Sequence, residues 1–133
     1  MEIKSLSRTD GRVVVTVFHL KGDLDLKTTP EFDKFVRNAY TEGTRYAVLD
    51  LSEVRYISSA GLRGIHSLFN LLRSGDETED DSQIKKGVRD GIFKSKHLKL
   101  AGPSQNVQQV IAMAGYDMFM EIHPSVDAAI ASF

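Results

Sequence analysis

Val48-Leu49-Asp50-Leu51-Ser52-Glu53-Val54-Arg55-Tyr56-Ile57-Ser58-Ser59-Ala60-Gly61-Leu62-Arg63 joins an apolar strand run to an amphipathic helix. From Tyr46 to Leu51 the chain is almost continuously apolar, the pattern of a short parallel strand buried on both faces. The run ends in a polar turn that delivers two serines to a helix start. Leu62, Ile65, Phe69 and Leu72 then form one apolar side. The first N–H groups of such a helix lack partners, and its dipole places partial positive charge there, so the turn favours a phosphate. Ser58 is the better helix N-cap and Ser59 falls at about the first helical position. From the spacing alone, capping explains both serines. A phosphoacceptor is the other reading.

Working outward, the same alternation of strand and helix recurs. Asp10-Gly11 gives a hairpin-turn signal after a loosely alternating stretch from Ile3 to Arg8. Val13 to Leu20 is rich in β-branched residues on both faces, and Lys21-Gly22-Asp23 reads as its end. Thr29-Pro30-Glu31 is a helix start with a threonine cap, and Phe32, Phe35, Val36 and Ala39 follow on one face. His97 to Ala101 reads as a strand, and Ser104 caps a helix carrying Val107, Val110, Ile111 and Ala114, stopped by Gly115. Met118 to Ile122 is a last strand, and Ser125 caps a short helix bearing Val126, Ala129, Ile130 and Phe133. The expected fold is α/β: a mostly parallel mixed sheet of four to five strands, with about four helices mainly on one face. We expect a single domain over 1–133. An acidic and polar insertion loop at about 75–96 interrupts it, opened by Asp76-Glu77-Thr78-Glu79-Asp80-Asp81.

Composition narrows the function classes. The 133 residues carry a formal charge of −1, which argues against a nucleic-acid partner. No apolar run approaches the roughly 20 residues that cross a bilayer, so no membrane association is expected. Met1-Glu2-Ile3-Lys4-Ser5 lacks a signal-peptide core, and there is no cysteine for a disulfide, thiol nucleophile or thiolate metal site. Cytoplasmic residence is the simple reading. His19, His66, His97 and His123 have no ligand spacing, so no metal is expected. No phosphate-binding Gly-rich loop and no nucleophile elbow around Ser59 are present, so neither a catalytic residue nor a cofactor is expected.

Leu49-Asp50-Leu51-Ser52 followed by Ile57-Ser58-Ser59-Ala60-Gly61-Leu62-Arg63 resembles the signature of the STAS family, specifically its bacterial anti-sigma factor antagonists. Gly22-Asp23-Leu24-Asp25 resembles the family's Gly-Glu-Leu-Asp turn. Leu100-Ala101-Gly102-Pro103-Ser104 is similar to its late strand-to-helix junction. The resemblance covers nearly the whole chain except roughly residues 75–96 and implies a STAS-like fold.

Aligned on Gly61-Leu62, the family's phosphorylated residue falls on Ser59, while Ser58 replaces a frequent aspartate. The resemblance implies a binding module rather than an enzyme. Its unphosphorylated form would bind an anti-sigma factor, often a serine kinase of the histidine-kinase-like ATPase type, and so release a sigma factor. Phosphorylation at Ser59 would block that binding, and a serine phosphatase would reset it. Asp23, Asp25, Thr28, Ser58, Ser59, Ala60, Gly61 and Arg63 are the expected partner-binding residues, on a monomer or weak dimer. Asp25 is equally readable as a turn-stabilising residue. An alternative is a STAS scaffold or regulatory subunit of a stress-signalling or transport assembly, with no phospho-switch. A small enzyme or nucleotide-binding domain has the least support in these residues.

Overall fold

A computed structural model describes residues 1–74 and 94–133. Among these, the chain runs β1 (Glu2–Arg8), β2 (Val15–Leu24), α1 (Thr29–Thr41), β3 (Ala47–Ile57) and α2 (Ser59–Arg73). It continues with β4 (Leu98–Ala101), α3 (Gln105–Met113), a 3-10 turn at Tyr116–Met118, β5 (Glu121–His123) and α4 (Val126–Ala131). The five strands lie in the order β1-β2-β3-β4-β5. β1 pairs antiparallel with β2, and the other neighbours are parallel. This is the mixed α/β sheet that the alternating pattern requires. The anticipated insertion lies, apart from residues 94–96, outside the described residues. Within that remnant Ser95 is buried, and its hydroxyl accepts from the N–H groups of His97 and Leu98 at the entrance to β4.

Three of the described helices cover one face of the sheet. Phe18, Leu20, Leu49, Leu51, Leu98 and Leu100 meet Phe32 and Val36 of α1, Ile65 and Leu68 of α2, and Val107 and Ile111 of α3. The opposite face is smaller. There Val15, Val17, Val48 and Ala101 are covered by Ala129 and Ile130 of α4. A strand such as β2 is thus apolar on both faces because each face has its own helix cover.

Several boundaries differ from the sequence reading, each for a tertiary reason. β2 does not end at Lys21-Gly22-Asp23 but continues through it to Leu24, paired with β3. Gly22 supports this with φ +113°, a conformation open to glycine and strained for other residues. β3 likewise runs past Leu51 to Ile57, so Ser52 to Tyr56 is strand and not turn. Its register against β2 slips twice, between His19/Lys21 and between Gly22/Asp23. Each slip adds a residue to β3, so Leu51, Val54 and Ile57 are buried at intervals of three, a spacing that hides a strand from a search for period two. Asp10-Gly11 is not a two-residue hairpin turn, because residues 9–14 all lie between β1 and β2. The α1 cap position belongs to Thr28 rather than Thr29. The last strand is Glu121–His123, with the 3-10 turn preceding it.

Candidate functional site

β2 and β3 outrun β4 and carry the serine turn at their end. The Ser58 N–H donates to the Leu24 carbonyl at 2.9 Å, tying the end of β2 to the start of α2. Ser58 is the N-cap. Its backbone is extended, and its hydroxyl oxygen accepts from the Gly61 N–H at 3.2 Å. Ser59 follows at the first helical position. It is exposed, and its hydroxyl has no hydrogen-bond partner among the described residues. The first turn of α2 carries no acid. Ser58→Ala should cost about 1 kcal/mol by freeing the Gly61 N–H, read as a lower denaturation midpoint.

The neighbouring loop is built by Asp25. Its Oδ1 accepts from the Lys27 and Thr28 N–H groups at 3.0 and 3.1 Å, and its own N–H donates to Thr28 Oγ1 at 3.0 Å. The N–H of Thr28, and then that of Lys27, hold its carboxyl below the usual range. The Thr28 hydroxyl donates to the Asp23 carbonyl at 2.8 Å, and Thr29 Oγ1 donates to the Asp25 carbonyl at 2.6 Å. Asp23 reaches Arg55 of β3 at 3.5 Å. The structure therefore brings Asp23, Asp25, Thr28, Ser58 and Ser59 to one end of the sheet, with Asp25 and Thr28 engaged in holding the turn.

Ala60 and Gly61 are buried and act in packing. A Cβ on Gly61 would lie 2.3 Å from the Leu24 carbonyl oxygen, so glycine permits α2 to seat on β2. Arg63 is exposed one turn beyond Ser59. It lines a cleft of about 380 Å³ between α1 and α2, together with Leu26, Pro30, Asp33 and Gly64. Leu26 is 77% exposed at the cleft rim, a large apolar side chain beside the serine turn that sequence reasoning did not select. Its only signal was the alternation Leu24-Asp25-Leu26, which also fits a continuing strand. Thr29 lies on the same cleft wall.

Asp50 lies within β3, which continues past it to Ile57. Its Oδ2 lies 2.8 Å from His19 Nδ1, and its Oδ1 accepts from the Ser52 N–H at 3.1 Å. Burial pushes its carboxyl up, but the bonds from His19 and Ser52 outweigh this and leave it below the usual range.

Residues 6–76 match the family model for the STAS domain. This chain belongs to the STAS domain family. No curated protein sequence matches it. Among solved structures, a Thermotoga maritima protein described as an anti-sigma factor antagonist shares the fold with a TM-score of 0.72 and 20% identity, over 96% of this chain and 90% of that one. An anti-sigma factor antagonist from Mycobacterium paratuberculosis follows at 0.66 and 19%, over 96% and 91%. The phosphorylated form of the Bacillus cell fate determinant SpoIIAA superimposes at 0.60 and 14%, over 96% of both chains. At these identities the likeness establishes the fold. The Ser58-Ser59 turn of this STAS domain lies inside the segment matched by the family model. No helix among the described residues is long and apolar enough to cross a membrane.

Proposed function

We propose that this STAS domain is an anti-sigma factor antagonist switched by phosphorylation at Ser59. The observation that carries the reading is the Ser59 hydroxyl, exposed and without a hydrogen-bond partner among the described residues, at the first position of α2, beside a neutral cap and with no acid in the first turn. Its unmodified form would bind an anti-sigma factor over the turn, Asp23, the Asp25 loop and Arg63. That partner is itself the expected serine kinase of the histidine-kinase-like ATPase type. Transfer forms a bond from Ser59 Oγ to the γ-phosphorus of ATP, breaks the bond to the bridging oxygen, releases ADP, and passes the hydroxyl proton to a base of the kinase. A serine phosphatase reverses the modification. The domain itself supplies a surface and no catalytic group.

Phosphate brings a charge near −2 at neutral pH. The positive end of the α2 dipole accommodates it, so the fold persists while a docked partner meets repulsion and a desolvation cost. Phosphorylated protein should keep its thermal midpoint yet bind its partner at least about tenfold more weakly. Ser59→Ala should bind constitutively and accept no phosphate, and Ser59→Asp should imitate part of the loss. The test is mass spectrometry of protein from its own cells, mapping the phosphate and identifying the co-purifying partner. Calorimetry on the three forms with that partner follows. Equal affinity of bare and phosphorylated protein would overturn the switch and leave the scaffold reading. Gross unfolding on modification would overturn the docking explanation.

A further inference from the structure

The pairing of β3 with β4 stops at Asp50 and Ala101, whereas its pairing with β2 continues to Leu24 and Ile57. The serine turn is therefore carried on a two-stranded extension of the sheet, an arm whose inner face (Leu24, Val54 and Ile57) packs in the main core. At the base of the arm the register slips from His19–Asp50 to Lys21–Glu53, leaving a bulge on β3. The His19 ring spans it. Nδ1 lies 2.8 Å from Asp50 Oδ2, before the bulge, and Nε2 lies 2.8 Å from Glu53 Oε2, after it. Ionised carboxylates only accept hydrogen bonds, and a neutral imidazole has a single N–H. Both contacts are hydrogen bonds only when the ring carries two protons.

We propose that His19 is a positioning residue for the Ser59 arm: its doubly protonated ring staples the bulge, and loss of one proton frees the arm and makes the display of Ser59 sensitive to pH. The consequence for docking rests on the function proposed above; the staple itself does not. Glu53 is the contact that opens, because its side chain is 49% exposed against 17% for Asp50, so water replaces it at lower cost.

The surroundings contain charges of both signs. On β1, Lys4 lies directly across from His19, and Glu2 lies across from Lys21. Lys21 neighbours Glu53 on β3, while on β4 Ala101 sits beside Asp50 without charge. The hydrogen bonds to Asp50 and then Glu53 prevail over partial burial and raise the histidine above its ordinary value of about 6.5. Because the folded-state value is the raised one, the staple is complete below the unfolded value and is lost as pH rises through the folded one.

The test is NMR on the full chain without any partner, comparing wild type, His19→Gln and Glu53→Ala. In wild type the Ser58, Ser59 and Gly61 amide shifts should titrate with the midpoint of the His19 ring. In Glu53→Ala the ring should still titrate while those amides no longer follow it. In His19→Gln, at a pH where the wild-type ring is charged, exchange of the Leu24, Val54 and Tyr56 amides should rise on the order of tenfold, with Val48 and Leu49 unchanged. Serine-turn amides that ignore the His19 titration, or that titrate equally in both variants, would overturn the staple. Unchanged arm exchange in His19→Gln would do the same. A confirmed staple alongside phosphate-insensitive partner binding would instead overturn the proposed function alone.

Discussion

Gly61→Ala should destabilise the domain by about 2 kcal/mol and loosen the serine turn, although alanine is the better helix former. In an open helix interior the change would gain up to about 1 kcal/mol from propensity. Here the added methyl would meet the Leu24 carbonyl oxygen at 2.3 Å, with the Leu24 carbonyl carbon and Cγ both at 3.0 Å. The obstructing atom is backbone, and the same carbonyl accepts from the Ser58 N–H. It cannot rotate away as a side-chain tip would. Overpacking costs typically about 1–3 kcal/mol, and a rigid backbone neighbour places this case at the upper end. Denaturant unfolding should show the loss, and the Ser58 amide should exchange faster as α2 lifts from β2. A midpoint equal to or above wild type would show that the close seating is unnecessary.

Lys99→Ala should cost about 3 kcal/mol and release the C-terminal helix. The Lys99 side chain is only 4% exposed on β4. Its ammonium donates to Glu121 Oε2 at 3.0 Å, to the Ser132 carbonyl at 3.0 Å and to Ser132 Oγ at 2.8 Å. It also lies 4.7 Å above the Phe133 ring centroid. Burial pushes the Glu121 carboxyl up, but the Lys99 ammonium and His123 outweigh that and hold it below its usual range. Truncation removes three donors at once and leaves Glu121 half-buried beside a cavity. Losing α4 would then uncover Val15, Val17 and Val48. Thermal unfolding together with the amide spectrum of residues 126–133 reads both consequences. A stable protein with an intact C-terminal spectrum would mean that apolar packing alone holds the helix.

The elements that sequence reading located well are those whose cause is local. The α2 start at Ser58, the α3 start at Ser104 and the α4 start at Ser125 all cap as their serines indicate. Gly115 stops α3 with φ +81°. Apolar spacing placed Phe32 and Val36, Ile65 and Phe69, and Val107 and Ile111 on the core face. The candidate site was legible where motif and cap coincide, at Ser58 and Ser59. Leu26 was not, because its exposure follows from where the Asp25 loop turns the chain. The two polar clusters were equally hidden: His19 joins residues 31 and 34 positions away, and Lys99 joins one 33 away.

By itself the chain determined a parallel α/β order, the helix caps and a hydroxyl at the head of α2, because those follow from periodicity and from bonds made within a few residues. Only the tertiary structure decided how far β2 and β3 extend, where β3 bulges, and that the turn stands where these two strands outrun β4. Strand register is set by pairing across long loops, and each extra residue in β3 shifts which side chains face the core. No pattern within a single strand records the partner that imposes that shift.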